Sequence, residues 1–313
     1  MAEEFTFLSS DQKTNIHVRG FLPEGEVKGC LQIAHGVAEH IGRYDEFMQY
    51  LAGQGFAVFG NSHLGHGKSV CTEEDRGFFK EEGGWQAVLS DMKTLHESLK
   101  KRFPNVKHFL FGHSMGSFLA RSYIMKYPKD FDGCIICGTG QQSSFLLRIG
   151  LFTAKKAAKK QGVKTHSEQL QKMIFGGYCK RIEHPRTEYD WLSRNEENVD
   201  TYLADPYCGG ISSIGLFVEM LKGIRFVSDR NNLLKMDKNM PVFIIAGTDD
   251  PVGDYGKGPK RVFERFKEAG MKNLSLKLYA KDRHEILNEK DRKTVFEDII
   301  KWLTVEIEKK GRK

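Results

Sequence analysis

Gly112-His113-Ser114-Met115-Gly116 sets a serine between two glycines, directly after the apolar run Phe109–Phe111 and before the helix-compatible stretch Ser117–Lys126. G-x-S-x-G between a strand and a helix makes a sharp turn that lifts the serine Oγ clear of the backbone. Glycines on either side remove side chains that would clash there. The helix behind the turn directs free N–H groups and its positive end at a developing oxyanion. Such a serine needs a base, and the base needs an orienting carboxylate, in the chain order Ser, Asp/Glu, His. Asp250 follows the apolar run Pro241–Ala246, and His284 follows Leu274–Leu278. Singly, Asp250 reads as a turn former before proline and His284 as a solvated loop histidine. In order, and each just past a strand, the three read as a nucleophile, base and carboxylate set. Asp249 is the competing carboxylate; the G-x-x-D spacing from Gly247 selects Asp250. Two backbone N–H donors complete the chemistry, assigned to Met115 after the serine and to Val37 in Ala34-His35-Gly36-Val37. This is acyl transfer, and it calls for no metal and no organic cofactor.

The elements that must position these residues are legible as alternating runs. Phe5–Leu8 and Ile16–Leu22 read as a leading hairpin, followed by short apolar runs at Cys30–Ala34, Ala57–Gly60, Phe109–Phe111 and Cys134–Cys137. Helical patterns lie between them, clearest at Trp85–Arg102, where Val88, Met92, Leu95 and Leu99 share a face. Buried strands alternating with helices predict an α/β fold with a mostly parallel sheet flanked by helices. From Gln141 to Tyr207 no strand is evident; the rhythm returns at Pro241–Ala246 and Leu274–Leu278, with a last helix at Arg292–Ile307 and a basic tail, Lys309–Lys313. The expected organisation is one core, residues 1–140 and 208–313, carrying a helical cap insertion at 141–207.

Composition narrows the function classes. The 313 residues are 40% hydrophobic and 28% charged, as in a soluble globular protein. A net charge of +7 is too small to argue for nucleic acid. No apolar run approaches the length of a membrane span, and Met-Ala-Glu-Glu opens acidic where a secretory signal would be basic, so the expectation is a cytoplasmic protein. Six dispersed cysteines fit reduced thiols, and Cys134/Cys137 read as buried strand residues rather than ligands. The +7 is localised. Residues 141–180 hold eight basic residues against one acid, Glu168, which leaves 40 of each sign elsewhere. In the same segment Phe145, Leu146, Ile149 and Phe152 form one helical stripe with lysines just after. Either the stripe packs on the core, or it dips into an anionic membrane surface. Oligomeric state has no signature in the sequence.

The motifs together resemble the monoglyceride lipase / lysophospholipase branch of the α/β-hydrolases, the serine aminopeptidase-like hydrolases. Residues His35–Tyr44 resemble H-G-x-G-E-H-x-G-R-Y, Asn61–Ser69 resemble D-x-x-G-H-G-x-S, and Gly112–Gly116 reproduce G-H-S-M-G. Leu192-Ser193-Arg194-Asn195 with Asp205-Pro206 resembles the L-S-R-(N/D)…D-P stretch where a cap rejoins the core. The resemblance implies a serine hydrolase with a mobile cap over a hydrophobic acyl tunnel. It also implies that Glu39 and Arg43 shape the polar end of the site; from their residue types alone they are equally loop-anchoring ion pairs. Ala38, Asn61 and Ser117 depart from the pattern, standing where it has Gly, Asp and Gly. The expected substrate is a single-chain lipid ester, a monoacylglycerol or lysophospholipid. The alternatives are a small-ester esterase or peptidase on the same scaffold, or a ligand-binding module with vestigial hydrolysis.

Overall fold

The computed structural model of the chain describes residues 2–309, so all of the basic tail beyond Lys309 lies outside the described residues. A hairpin of Glu3–Leu8 (β1) and Asn15–Phe21 (β2) opens the sheet. There follow Gly29–Ala34 (β3), helix Asp45–Gly53 (α1), Phe56–Asn61 (β4), helix Gly84–Arg102 (α2), Lys107–His113 (β5), helix Met115–Lys126 (α3) and Gly133–Cys137 (β6). The spatial order of the eight strands is β1-β2-β4-β3-β5-β6-β7-β8, with Val242–Gly247 as β7 and Leu274–Tyr279 as β8. β1 and β2 are antiparallel to their neighbours, and every pairing from β4 to β8 is parallel.

β3, β4, β6 and β7 are buried at every position, as expected of strands covered on both faces. Each predicted strand coincides with an observed one, Ile16–Leu22 overrunning the end of β2 by one residue and Pro241–Ala246 starting one residue before β7. Cys134 and Cys137 are buried in β6, where desolvation holds both thiols above their ordinary pKa. α2, with Val88, Met92, Leu95 and Leu99 inward, covers one face; α1 and the last helix, Arg292–Glu308, cover the other. In chain order that last helix is α10, after Lys257–Glu268 (α9).

Between β6 and β7 the chain runs through Ser144–Gln161 (α4), Glu168–Phe175 (α5), Glu196–Ala204 (α6), Ile214–Ser228 (α7) and the short Arg230–Leu233 (α8), with no strand among them. α7 is apolar nearly all round because it is packed between α4 and α3. α4 buries Leu147, Leu151 and Ala154. The stripe identified in the sequence is the other face of α4: Phe145, Leu146, Ile149 and Phe152 are 64%, 58%, 49% and 70% exposed. The simpler expectation, a stripe packed on the core, is therefore not met. Among the described residues no helix is long and apolar enough to cross a membrane.

Candidate active site

β5 ends at His113 and α3 begins at Met115, so Ser114 alone carries the turn, at φ 54°, ψ −120°. That conformation is strained for an L-residue and persists only where its surroundings enforce it. The flanking glycines are dictated by contact: a Cβ on Gly112 would lie 2.2 Å from the Gly116 carbonyl oxygen, and one on Gly116 would lie 2.0 Å from that of Ala34. Ser114 N–H donates to the Cys137 carbonyl at 3.1 Å, and Ser117 Oγ donates to the Ser114 carbonyl at 2.6 Å. Ser114 itself is half-buried. The loop after β3 runs directly beside it, where a Cβ on Gly36 would sit 3.1 Å from Ser114 Cβ. Val37 of that loop and Met115 line the same cavity as Ser114, and Met115 is the first residue of a helix whose leading N–H groups lack intrahelical partners.

Asp250 and His284 arrive from the loops after β7 and β8, adjacent parallel strands. His284 Nδ1 donates to Asp250 Oδ1 at 3.0 Å, and the same oxygen accepts the Val252 N–H at 2.8 Å. Asp250 is fully buried, whereas Asp249 is exposed and bonds Thr248 Oγ1. His284 Nε2 is buried and has no hydrogen-bond partner. The ring lies 5.1 Å from that of Trp191 and 4.7 Å from that of His113. The Trp191 and Leu192 carbonyls accept the backbone N–H groups of His284 and Glu285. The Leu192–Asn195 segment thus holds the histidine loop, with Arg194 bridging Asp282, Glu289 and Asp291.

Glu39 and Arg43 are four residues apart and form a buried pair, Nη1 to Oε2 at 2.9 Å. Arg43 also forks onto Glu285 at 2.5 and 2.8 Å. Glu39 accepts from Gly36 N, Tyr44 OH and His113 Nδ1. Glu39 and Glu285 border the cavity; Arg43 does not line it, and instead ties the loop after β3 to the loop after β8. Burial opposes ionisation of Glu39, yet His113 and Arg43 hold its carboxyl well below the usual range. Burial likewise opposes charge on His113, and the Glu39 carboxylate outweighs it, so its pKa is raised. Glu285 could not be singled out from sequence; its only signal was its place beside His284.

Ala38, one residue past Val37, has φ 54°, so this departure from the motif pattern is a real left-handed position occupied by a residue with a Cβ. Its carbonyl accepts from Gly209 N and Tyr202 OH, both at 3.0 Å. Two groups among the described residues bring three metal-ligating side chains together. His40, Asp205 and Cys208 are knitted by the His40–Asp205 bond at 2.8 Å, and Asp282, Glu289 and Asp291 are bridged by Arg194. Burial and the neighbouring carboxylates raise Asp282 to about 7.

Ser114, His284, Val37 and Met115 open onto one cavity of about 750 Å³ with a largely apolar wall, including Phe118, Leu147, Ile174, Phe175, Met220 and Ile224. Its size is that of a small-molecule site. Its mouth carries Leu146 and Ile149 of the exposed α4 stripe.

Fold and site together define an α/β-hydrolase. The chain belongs to the serine aminopeptidase S33 family of hydrolases, whose sequence profile matches residues 25–291. It is 26% identical to the monoglyceride lipase of Mus musculus over 296 residues, 94% of this chain and 88% of that one. It is 24% identical to the monoacylglycerol lipase of Mycolicibacterium smegmatis, covering 90% of each. Among solved structures, a thermostable carboxyl esterase from Bacillus coagulans in complex with glycerol superposes with TM-score 0.91 at 28% identity, over 98% of this chain and 99% of that one. These comparisons place the chain among carboxylic ester hydrolases of that fold.

Proposed function

We propose that the protein hydrolyses single-chain lipid esters, monoacylglycerols or lysophospholipids, through an acyl-enzyme on Ser114. One observation carries this reading: the half-buried, strained Ser114 and the orphaned His284 Nε2 share an apolar cavity of about 750 Å³. Ser114 Oγ attacks the ester carbonyl as His284 Nε2 takes its proton, with Asp250 holding the imidazole through Nδ1. The Val37 and Met115 N–H groups receive the tetrahedral oxyanion; losing one such donor typically costs about 100- to 1000-fold. The carbonyl–alkoxy bond then breaks and His284 returns the proton to the leaving alcohol. Water adds to the acyl-enzyme by the reverse route, releasing the fatty acid and free serine.

Residues 141–207 act as a cap, since α4 and α5 supply the apolar wall opposite Ser114. The exposed α4 stripe supports contact with an anionic membrane. At about 100° per residue, Lys156, Lys159 and Lys160 follow Phe145, Ile149 and Phe152 along the same face. Apolar residues would enter the lipid while lysines meet headgroups, each contributing about 1 kcal/mol near the surface. Co-sedimentation with anionic and neutral vesicles checks this; equal binding to both, or to neither, contradicts it.

The names of the relatives support the lipid-ester class, and the carboxyl esterase neighbour makes chain length the discriminating variable. The test is product analysis on a chain-length series of monoacyl esters with wild type and Ser114→Ala. Release of long-chain fatty acid that falls at least about 10⁴-fold in the variant is expected. A preference for acetyl esters would remove the lipase reading, and hydrolysis by Ser114→Ala would remove the nucleophile.

A further inference from the structure

A second cavity, of about 540 Å³, lies one residue away from the His284–Asp250 pair. Arg283 and Asp249, the chain neighbours of His284 and Asp250, line it. The turn after α5 closes it with Tyr178, Arg181 and Glu183, and Tyr255 forms a further wall. It therefore sits at the carboxyl ends of β7 and β8. Tyr178 borders both this cavity and the larger one, packing edge-on against Trp191 at 4.8 Å.

The charges around it are unpaired. Arg181, Arg283, Glu183 and Asp249 form no ion pair with one another or with any other described residue. Elsewhere the arginines flanking the site, Arg43 and Arg194, are each engaged by two or more carboxylates. Both unpaired guanidinium groups are nevertheless held in place. Arg181 Cζ lies over the Tyr255 ring, 3.7 Å from its centroid, and Arg283 Nη1 donates to the Asp190 and Ser193 carbonyls at 2.6 and 3.1 Å. An arginine has five N–H donors, so Arg283 retains others for a ligand.

Two guanidinium groups and two carboxylates around one cavity complement a ligand of both signs. A phosphodiester oxygen pair matches the guanidinium fork, and an ammonium matches carboxylates beside aromatic faces. A neutral glycerol head would leave all four charges without a counter-group. We propose that this cavity receives the zwitterionic phosphodiester head of a lysophospholipid. The acyl chain lies in the larger cavity, and the head passes the edge of Tyr178. The reading rests on Ser114 acting as the ester nucleophile; the products are then a fatty acid and a glycerophospho-base, with water consumed and the leaving alkoxide protonated by His284.

The double variant Arg181→Gln/Glu183→Gln tests this, because both side chains are exposed and neither makes a hydrogen bond among the described residues. Activity is measured on lysophosphatidylcholine and on a monoacylglycerol of the same acyl chain. The expected result is a fall of at least about tenfold in the ratio of kcat/KM for the first to that for the second, carried by KM. A ratio unchanged within about twofold overturns the proposal. A calorimetric titration with glycerophosphocholine gives a readout independent of turnover. Binding to wild type that is lost in the double variant supports the cavity, and no binding to wild type at millimolar ligand overturns it. Should wild type cleave neither ester, the nucleophile reading fails, and the titration still decides the cavity by itself.

Discussion

Acid will destabilise this fold through the histidines behind the loop after β3. His35, His63 and His66 are buried in mutual contact, with ring centroids 4.2 Å apart for His35–His63 and 5.4 Å for His35–His66. Neither ring nitrogen of His63 has a partner. Burial, with repulsion from His66 added, pushes His63 down to about 3, and burial pushes His66 down to about 4. The unfolded chain binds a proton on each near pH 6.5, and the native state does not. Their contribution is therefore fully present above about pH 6.5 and is lost as pH falls towards the native values. From about pH 7.5 to about pH 5.5 each loses roughly one unit of linkage, about 1.4 kcal/mol, so the two together lose about 3 kcal/mol. That is a large share of the 5–15 kcal/mol typical of a folded domain. The raised pKa of His113 opposes part of the loss and is unaffected by changes at position 63. His63→Phe keeps an aromatic ring against His35 and removes one titrating group. Urea unfolding at the two pH values should then show a pH dependence smaller by about 1.4 kcal/mol than in wild type. The same pH dependence in both proteins would refute the burial argument for His63.

Three further outcomes follow from the site. Asp250→Asn should lower kcat by about 10³- to 10⁴-fold while the exposed Asp249→Asn stays within about threefold, as measured by ester hydrolysis; the opposite ranking would reassign the carboxylate. Arg43→Met leaves Glu39 and Glu285 buried without their cation, so denaturant unfolding should show a loss of about 3–5 kcal/mol, part of which Glu285→Gln restores in the double variant. Ala38→Gly relieves a left-handed backbone that costs about 1–2 kcal/mol for an L-residue, offset by the entropy of the added glycine. A net gain of up to about 1 kcal/mol is expected in thermal unfolding, and a lowered Tm would show that the methyl group packs usefully.

What the sequence disclosed follows the range of the interactions. Strands buried on both faces leave short apolar runs, so β3 through β7 were readable from local composition. The turn at Ser114 was readable from its glycines, although only Gly112 is required by a contact inside the turn; Gly116 is required by the Ala34 carbonyl at the end of β3. Asp250 was distinguishable from Asp249 only by spacing, and the reason for it, burial against His284, is tertiary. The Glu39–Arg43–Glu285 cluster joins segments more than 240 positions apart, so its i,i+4 half was visible and its other half was not. The periodicity of α4 identified a stripe correctly but could not say which face is covered. Leu147, Leu151 and Ala154 define an equally good inward face, and α7 packs against it. The second cavity needed Asp249 and Arg283 to point away from their neighbours, which no local pattern encodes.

The central claim is that Ser114 carries the acyl group. Its most direct test is intact-mass analysis of the protein treated with a long-chain alkyl fluorophosphonate, followed by peptide mapping. The account predicts one adduct per chain, on Ser114, absent from Ser114→Ala and suppressed in Asp250→Asn. An adduct on another residue, or full labelling of Ser114→Ala, would contradict it.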